Sequence, residues 1–462
     1  MGRPPRRNVA GNSLASSGRG AGFTRTHLAA GGEPGRIRLT MEAATISDMY
    51  ERVILWATPV FFLLIGLESS VAWLRWRSPY RLADAINSIN IGAFSTYTGV
   101  FTRLAGVVVY AGIYANLRLA TLDADRVWVW ISGLALYDFL YYWYHRFGHE
   151  VNLFWAAHVV HHQSEEFNLS TALRQTGTSF VFSWIFYVPM AVLGYPPELF
   201  LFVSLIDLLY QFWIHTEQIG SLGILDRLLA TPSNHRVHHG VNDLYIDRNY
   251  GGILMLWDRL FGTFQPELAT VPVVYGSRSP LRSWNPLWAN LHTYATLLRD
   301  ARRARRWQDR LRIWFKHPGW RAADVAASDP RPEFDVTSCR KFDPSLRPAR
   351  AGYCLLQSAV ALGFGTHYLA VAPRIGPGLA AAYLGWLTLT LWVVGGLSEG
   401  RPEFLRAEGL RLAVLATAGV AWWTVAAPSQ REFGPGILVA VICAVSAVWL
   451  WRTGSASRSE TI

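Results

Sequence analysis

His145-Arg146-Phe147-Gly148-His149, His158-Val159-Val160-His161-His162 and His235-Arg236-Val237-His238-His239 fall within one stretch, Asp138 to His239. On a helix, side chains three and four residues apart share a face. The first motif therefore offers one pair of imidazoles. The second and third each offer three, at i, i+3 and i+4. His215 lies between them, so this stretch holds nine of the thirteen histidines.

Neutral imidazole is a common ligand for borderline transition metals. Eight clustered nitrogens are too many for one catalytic zinc, which takes about three protein ligands. They suit two ions with open positions. A lone histidine in an apolar helix is an ordinary hydrogen-bonded core residue, and that reading fits His27, His292, His317 and His367. Eight uncoordinated buried imidazoles would leave many polar atoms in need of partners. His145, His149, His158, His161, His162, His235, His238 and His239 therefore read as metal ligands. His215 reads as a ninth, with a place behind the ligands as its alternative. Asp138 precedes His145 by about two helical turns. A carboxylate there can hydrogen-bond the far nitrogen of a ligand ring and fix its orientation.

Outward from the motifs, the chain reads as an all-α polytopic membrane protein. Hydrophobic residues make up 51% of it and it carries 21 Trp. Mean hydropathy is only +0.17, because polar loops dilute the apolar segments. The charge of +11 is almost all arginine, since Lys316 and Lys341 are the only lysines. This positive charge is interleaved with apolar spans, which argues against a nucleic-acid partner and for positive loops on the cytoplasmic side. Cys339, Cys354 and Cys443 are scattered and suggest neither a disulfide framework nor an iron–sulfur site.

Residues 1–40 are rich in Gly, Arg, Ala and Ser and read as disordered. Met41 opens a sequence that resembles a natural beginning, so translation is expected to start at Met1 or at Met41. Residues 41–290 form the histidine-bearing membrane domain. About nine apolar spans are expected, since each needs about 20 residues. They lie near 53–74, 89–117 (long, with a bend or re-entrant part), 127–144, 180–193, 199–214, 353–372, 377–396, 410–426 and 434–451. Tyr195-Pro196-Pro197 turns the chain between the fourth and fifth. The arginines then place all histidine clusters on the cytoplasmic face, with Arg401, Arg406 and Arg411 in an inside loop. Residues 291–350 form a basic, amphipathic cytoplasmic segment that lies on the membrane surface or packs on the cytoplasmic domain. Residues 351–462 form a four-span C-terminal region.

A histidine-rich dimetal site at a membrane face suggests oxygen activation on a substrate that resides in lipid. With HX3H, HX2HH and HX2HH on such a scaffold, the chain resembles the fatty acid hydroxylase/sterol desaturase superfamily. The segments 145–152, Phe167 to Gln175, Gln211 to Glu217, Thr231 to Gly240, Ile246 to Gly252 and Trp257 to Phe264 narrow the likeness. They resemble the alkylglycerol monooxygenase family, and the resemblance covers roughly 45–270.

That resemblance implies two Fe ions, O2 and a membrane lipid substrate. The reaction it implies is hydroxylation of the ether-adjacent carbon of an alkylglycerol, giving a fatty aldehyde and a glycerol derivative. It implies tetrahydrobiopterin as electron donor, with a redox partner protein as the alternative. Glu150 matches a family acid that orients ligands or cofactor; a solvated loop carboxylate is its other reading. Asp247, Asn249 and Tyr250 also match the family. Glu165 and Glu166 read equally as a solvated turn. The alternatives are a sterol or fatty-acyl hydroxylase or desaturase of the same superfamily, a membrane metal-ion carrier and a non-catalytic lipid-binding relative. The expected location is a bacterial inner membrane, or the endoplasmic reticulum in a eukaryote.

Overall fold

The structure is a computed structural model that describes residues 33–75, 80–425 and 435–455. In chain order the helices are α1 (Glu33–Leu74), α2 (Leu82–Leu117), α3 (Val127–Glu150), α4 (Asn152–His162), α5 (Leu169–Ala172), α6 (Phe180–Leu193), α7 (Pro197–Trp213), α8 (Leu225–Leu228) and α9 (Pro232–His238). They continue as α10 (Leu256–Leu260), α11 (Pro286–Arg303), α12 (Trp307–Phe315), α13 (Ala323–Ser328), α14 (Pro348–Val371), α15 (Pro377–Ser398), α16 (Glu403–Val425) and α17 (Pro435–Ser455). Among the described residues there is no strand, only two isolated bridges.

Arg52–Leu74, Pro348–Val371 and Pro377–Ser398 are long and apolar enough to cross a membrane. Leu82–Thr102 and Ala105–Leu117 make a fourth crossing if their 44° bend lies within one span. The expected segment 180–193 is a 14-residue helix. At 1.5 Å per residue it reaches only about 21 Å, short of a ~30 Å hydrocarbon core.

Two further expectations change. Helix α1 already runs from Glu33, inside the segment expected to be disordered; residues 1–32, with His27, lie outside the described part. Arg406 and Arg411 sit within α16, not in a loop. Arg411 is fully buried. Its guanidinium donates to both Glu408 oxygens at 2.6 Å and to Gln357 Oε1 at 2.6 Å. A buried charge held by a carboxylate and an amide needs no water, so the helix continues through it.

The apolar helices pack around three cores. Tyr137, Leu140, Tyr187, Met190 and Leu199 join α3, α6 and α7. Ala93 and Tyr97 of α2 meet Ala361, Tyr368 and Leu387 of α14 and α15. Ile86, Tyr353, Val393 and Phe404 hold α2, α14, α15 and α16 together. At one end of the bundle, Gly194 closes α6 in the left-handed conformation at φ +99°. Leu119 and Leu122 donate to the Val192 and Gly194 carbonyls there. The opposite end carries the histidines.

Candidate metal centre

Helix α3 does not stop at the apolar segment. It runs two further turns, and those turns present His145 and His149. Helix α4 carries His158, His161 and His162. His215 follows α7 directly. Helix α9 begins with Pro232 at its first position, where the missing N–H costs nothing, and carries His235 and His238, with His239 at its end.

All nine side chains converge in two groups. His145, His149, His158, His162 and His238 form one; His161, His215, His235 and His239 form the other. Within each group the ligand nitrogens lie within 4.8 Å of one another. The groups interleave, since the His162 and His239 rings stack at 4.2 Å. So His215 stands among the other rings and not behind them. Burial holds the His145, His158, His162, His215, His235, His238 and His239 rings well below the ordinary imidazole value, and His161 down to about 4. These rings are neutral at pH 7, the form that binds metal.

The tautomers decide what the groups can hold. Nδ1 of His145 donates to the Tyr250 carbonyl at 2.8 Å, and Nδ1 of His238 to the Arg248 carbonyl at 3.0 Å. Nδ1 of His161 donates to the Arg174 carbonyl at 2.9 Å, and Nδ1 of His215 to the Gln211 carbonyl at 2.7 Å. With the proton fixed on Nδ1, each Nε2 offers only a lone pair. Yet the His161 and His215 Nε2 atoms stand 3.1 Å apart, and His235 Nε2 is 2.9 Å from His215 Nε2. In the other group His145 and His162 Nε2 lie 3.0 and 3.1 Å from His158 Nε2. Nε2 of His149 and of His238 is buried without any partner. Facing lone pairs repel unless a cation lies between them. Two nitrogens each about 2.1 Å from one ion and at right angles stand about 3 Å apart. The residues present fit a metal ion in each group.

The expected carboxylates act one step further out. Asp138 does not touch a histidine. It accepts from Ile253 N at 2.7 Å, Leu254 N at 3.2 Å and Trp257 Nε1 at 2.8 Å. Asp258, fully buried, accepts from Tyr250 N and Gly251 N at 2.8 and 2.7 Å. These two acids anchor the 246–254 loop, whose Arg248 and Tyr250 carbonyls orient His238 and His145. Asp247 and Asn249 take φ of +57°, a region these two types tolerate better than most. Asn249 holds the loop through Asn234 and Gln265.

Glu150 pairs with Arg146 at 2.9 Å and contacts no ligand ring. The acid beside a ring is Asp247, 3.5 Å from His149 Nδ1. Its other oxygen meets His317 Nε2 at 3.2 Å. Burial raises the Asp247 carboxyl, but the bonds to His149 and His317 outweigh it and hold it well below the usual range. His317 is 57% exposed, not a core residue. Nor is Glu165-Glu166 a solvated turn. Glu165 pairs with Arg81, and Glu166 with Arg81 and Lys341.

Arg174 has a larger part than its motif suggested. It is 1% exposed and donates to the Val160 carbonyl, Asn87 Oδ1 and Gln163 Oε1. It thereby ties α2 and α4 together and fixes the carbonyl that orients His161. Its readable signal was a single arginine beside the apolar stretch that opens at Phe180. Asp207 escaped notice altogether. It accepts from Gln211 Nε2 at 2.6 Å, and Gln211 Oε1 accepts from the Tyr141 hydroxyl at 2.8 Å.

A cavity of about 660 Å³ leads to the histidines. Its wall includes His158 of one group and His161 and His215 of the other. Tyr141 and Gln211, each against a ring, line it with Tyr144 and Gln175, and Ile113, in the core around Tyr110 and Tyr195, lines it farther away. Such a volume lies within the ~300–1,000 Å³ of ligand pockets. Its form admits a chain with a polar part beside the rings and an apolar tail away from them.

A fatty acid hydroxylase family model matches residues 130–263, which include every clustered histidine. An alkylglycerol monooxygenase of Homo sapiens is 38% identical over 358 residues, 77% of this chain and 80% of that protein. One of Danio rerio is 37% identical over 366 residues, 78% and 80% of the two chains. An ornithine lipid hydroxylase of Rhizobium tropici is 30% identical over 135 residues, 29% of this chain and 41% of that one. No solved structure matches the chain.

Proposed function

The chain belongs to the alkylglycerol monooxygenase family, and from that premise we propose that it cleaves the ether bond of alkylglycerols with two iron ions and O2. His145, His149, His158, His162 and His238 would hold one ion, and His161, His215, His235 and His239 the other. The bound irons would supply the oxidising power needed to break an unactivated C–H bond.

The observation that carries this reading is the pair of facing Nε2 lone pairs on His161 and His215, 3.1 Å apart beside the cavity. The cavity's polar wall at Tyr141, Gln175 and Gln211 suits the glycerol end of the lipid. Its apolar wall suits the alkyl chain. The ether-adjacent carbon then lies beside the rings, at the depth where head meets tail. Replacing one of its hydrogens by hydroxyl consumes one O2, two electrons and two protons and releases one water. The hemiacetal formed collapses to a fatty aldehyde and glycerol. Tetrahydrobiopterin is the proposed electron donor, by membership of the family.

Sidedness is part of the proposal. The arginine distribution supports a cytoplasmic face for the histidines and crossings beyond the four that length and apolarity give. It equally supports a basic segment 291–350 between the hydroxylase domain and the C-terminal helices. A metal carrier needs sites along a path through the bilayer, whereas these nine rings gather at one end of the bundle.

The test is turnover of a glyceryl ether by purified protein with O2 and reduced pterin, with the aldehyde trapped as it forms. Under ¹⁸O2 the trapped product should carry one labelled atom. No ether cleavage, together with oxidation of a sterol or acyl lipid, overturns the substrate assignment.

A further inference from the structure

Helices α11 and α12 form a pair outside the metal centre that the reaction does not use. Both bury one face. Leu297 and Ala301 of α11 and Ile313 of α12 pack on Ala156 of α4. Their outer faces are not polar. Trp288, Leu291 and Leu298 follow one another along the outside of α11, at 44%, 52% and 40% exposure. Trp307, Leu311 and Phe315, at i, i+4 and i+8, lie 65%, 56% and 68% exposed along α12. A surface helix in water buries its apolar stripe and shows charge. Here a second, aromatic-rich stripe has no protein cover.

Arginines flank these stripes. Between 286 and 317 stand eight Arg or Lys against two Asp. Arg302, Arg305 and Arg306 are exposed, and among the described residues no carboxylate lies within 4 Å of their guanidinium groups. An apolar stripe bordered by free guanidinium groups complements acyl chains below an anionic headgroup layer.

The location agrees. Helix α11 starts where two long apolar helices end. The Trp284 carbonyl, just before it, accepts from Asn87 at the foot of α2. The Trp284 backbone N–H donates to Glu399 at the foot of α15. Farther along, Asn290 accepts from Gly177 N at 2.8 Å, and Tyr294 bonds Thr178 at 3.4 Å. Those residues lead into α6, whose Phe180, Val181, Trp184 and Ile185 are exposed. Gly177, Ser179, Phe180 and Trp184 also line the cavity. The helix pair therefore lies at the membrane border, beside the part of the cavity wall formed by α6.

We propose that α11 and α12 seat in the surface of the same membrane, with Trp307, Leu311 and Phe315 among acyl chains and Arg302, Arg305 and Arg306 on anionic lipid headgroups. Seated so, they hold the α6 wall of the cavity at the depth where lipid enters. The consequence for turnover rests on the proposed lipid substrate; the membrane contact does not.

The full chain in phosphatidylcholine nanodiscs, with and without phosphatidylglycerol, tests this. A nitroxide at Leu311→Cys, in a Cys339→Ser, Cys443→Ala background, reports its surroundings. Oxygen collisions should dominate there, and a water-soluble nickel chelate should dominate at Arg312→Cys, which is exposed on another face of α12. Phosphatidylglycerol should deepen the 311 label in the parent and not in Arg302→Gln/Arg305→Gln/Arg306→Gln. The triple variant should raise the apparent KM for the ether lipid severalfold in anionic discs and leave kcat unchanged. Nickel access at 311 equal to that at 312 overturns the proposal. So does shielding of 311 from both oxygen and nickel in particles that hold two chains, since a second copy would then be the occupant. An oxygen-accessible 311 label without ether cleavage would uphold the contact and remove only the substrate reading.

Discussion

The two histidine groups use the same rings and the same tautomer, but different means to hold them. In the four-histidine group the orienting carbonyls are close in sequence. Gln211 is four residues before His215, and Arg174 thirteen after His161. In the five-histidine group one loop supplies both carbonyls: Arg248, ten residues after His238, and Tyr250, 105 residues after His145. One group is set by two separate short connections, the other by a single loop that Asp138 and Asp258 hold in place. Separate perturbations should therefore reach each group.

The largest effect should come from the rings. His161→Ala or His162→Ala removes an inward nitrogen that water replaces poorly, so ether cleavage should fall below detection while the protein still inserts and purifies. Residual turnover above a hundredth of wild type in both variants would count against the assignment.

Next come the supports. Asn249→Ala frees the 246–254 loop and Arg174→Ala frees the turn after α5. Loss of a group that orients a ligand costs about 10–100-fold in metal affinity. Iron titration should show one weakened site in each variant. Competition with a chelator in the two variants combined should weaken both. An unchanged titration in Asn249→Ala would mean the loop does not orient the rings.

Asp138→Asn should do less. Its carboxylate takes two backbone N–H groups and an indole N–H, and the amide keeps one acceptor oxygen. A loss of about 1–3 kcal/mol is expected, read as a lower melting temperature in detergent with iron content retained. Full stability would deny Asp138 its part in the loop.

The smallest effect belongs to His317. Its bond to Asp247 holds the ring above the ordinary imidazole value. That contribution is complete below the unfolded value near 6.5 and is lost as pH rises through the raised folded value. Exposure and solvent screening limit it to under ~1 kcal/mol. The melting difference between wild type and His317→Ala should be larger at pH 6 than at pH 9. The opposite order would mean that the pair does not form.

The same contrast explains what the sequence could tell. His158, His161 and His162 were legible because helical spacing is local, but which ring joins which group was not, since α4 and α9 each feed both. The turn at Tyr195 and the bend in the second segment were legible for the same reason. Asp138 was found, but its partner was not, because the loop it holds lies 115 residues on. His317 resembled an ordinary core histidine, since nothing near it in the chain announces Asp247. Arg411 resembled a loop charge; Glu408, three residues before it, was within reach, but Gln357 joins only once α14 packs on α16. Asp207 stood as the only charged residue of the expected span 199–214, a local signal that went unread.

The central claim is that these nine rings hold two metal ions, and iron content measures it most directly. Detergent-purified, iron-loaded protein should contain two irons per chain by elemental analysis. A wild-type value of one or near zero would contradict it.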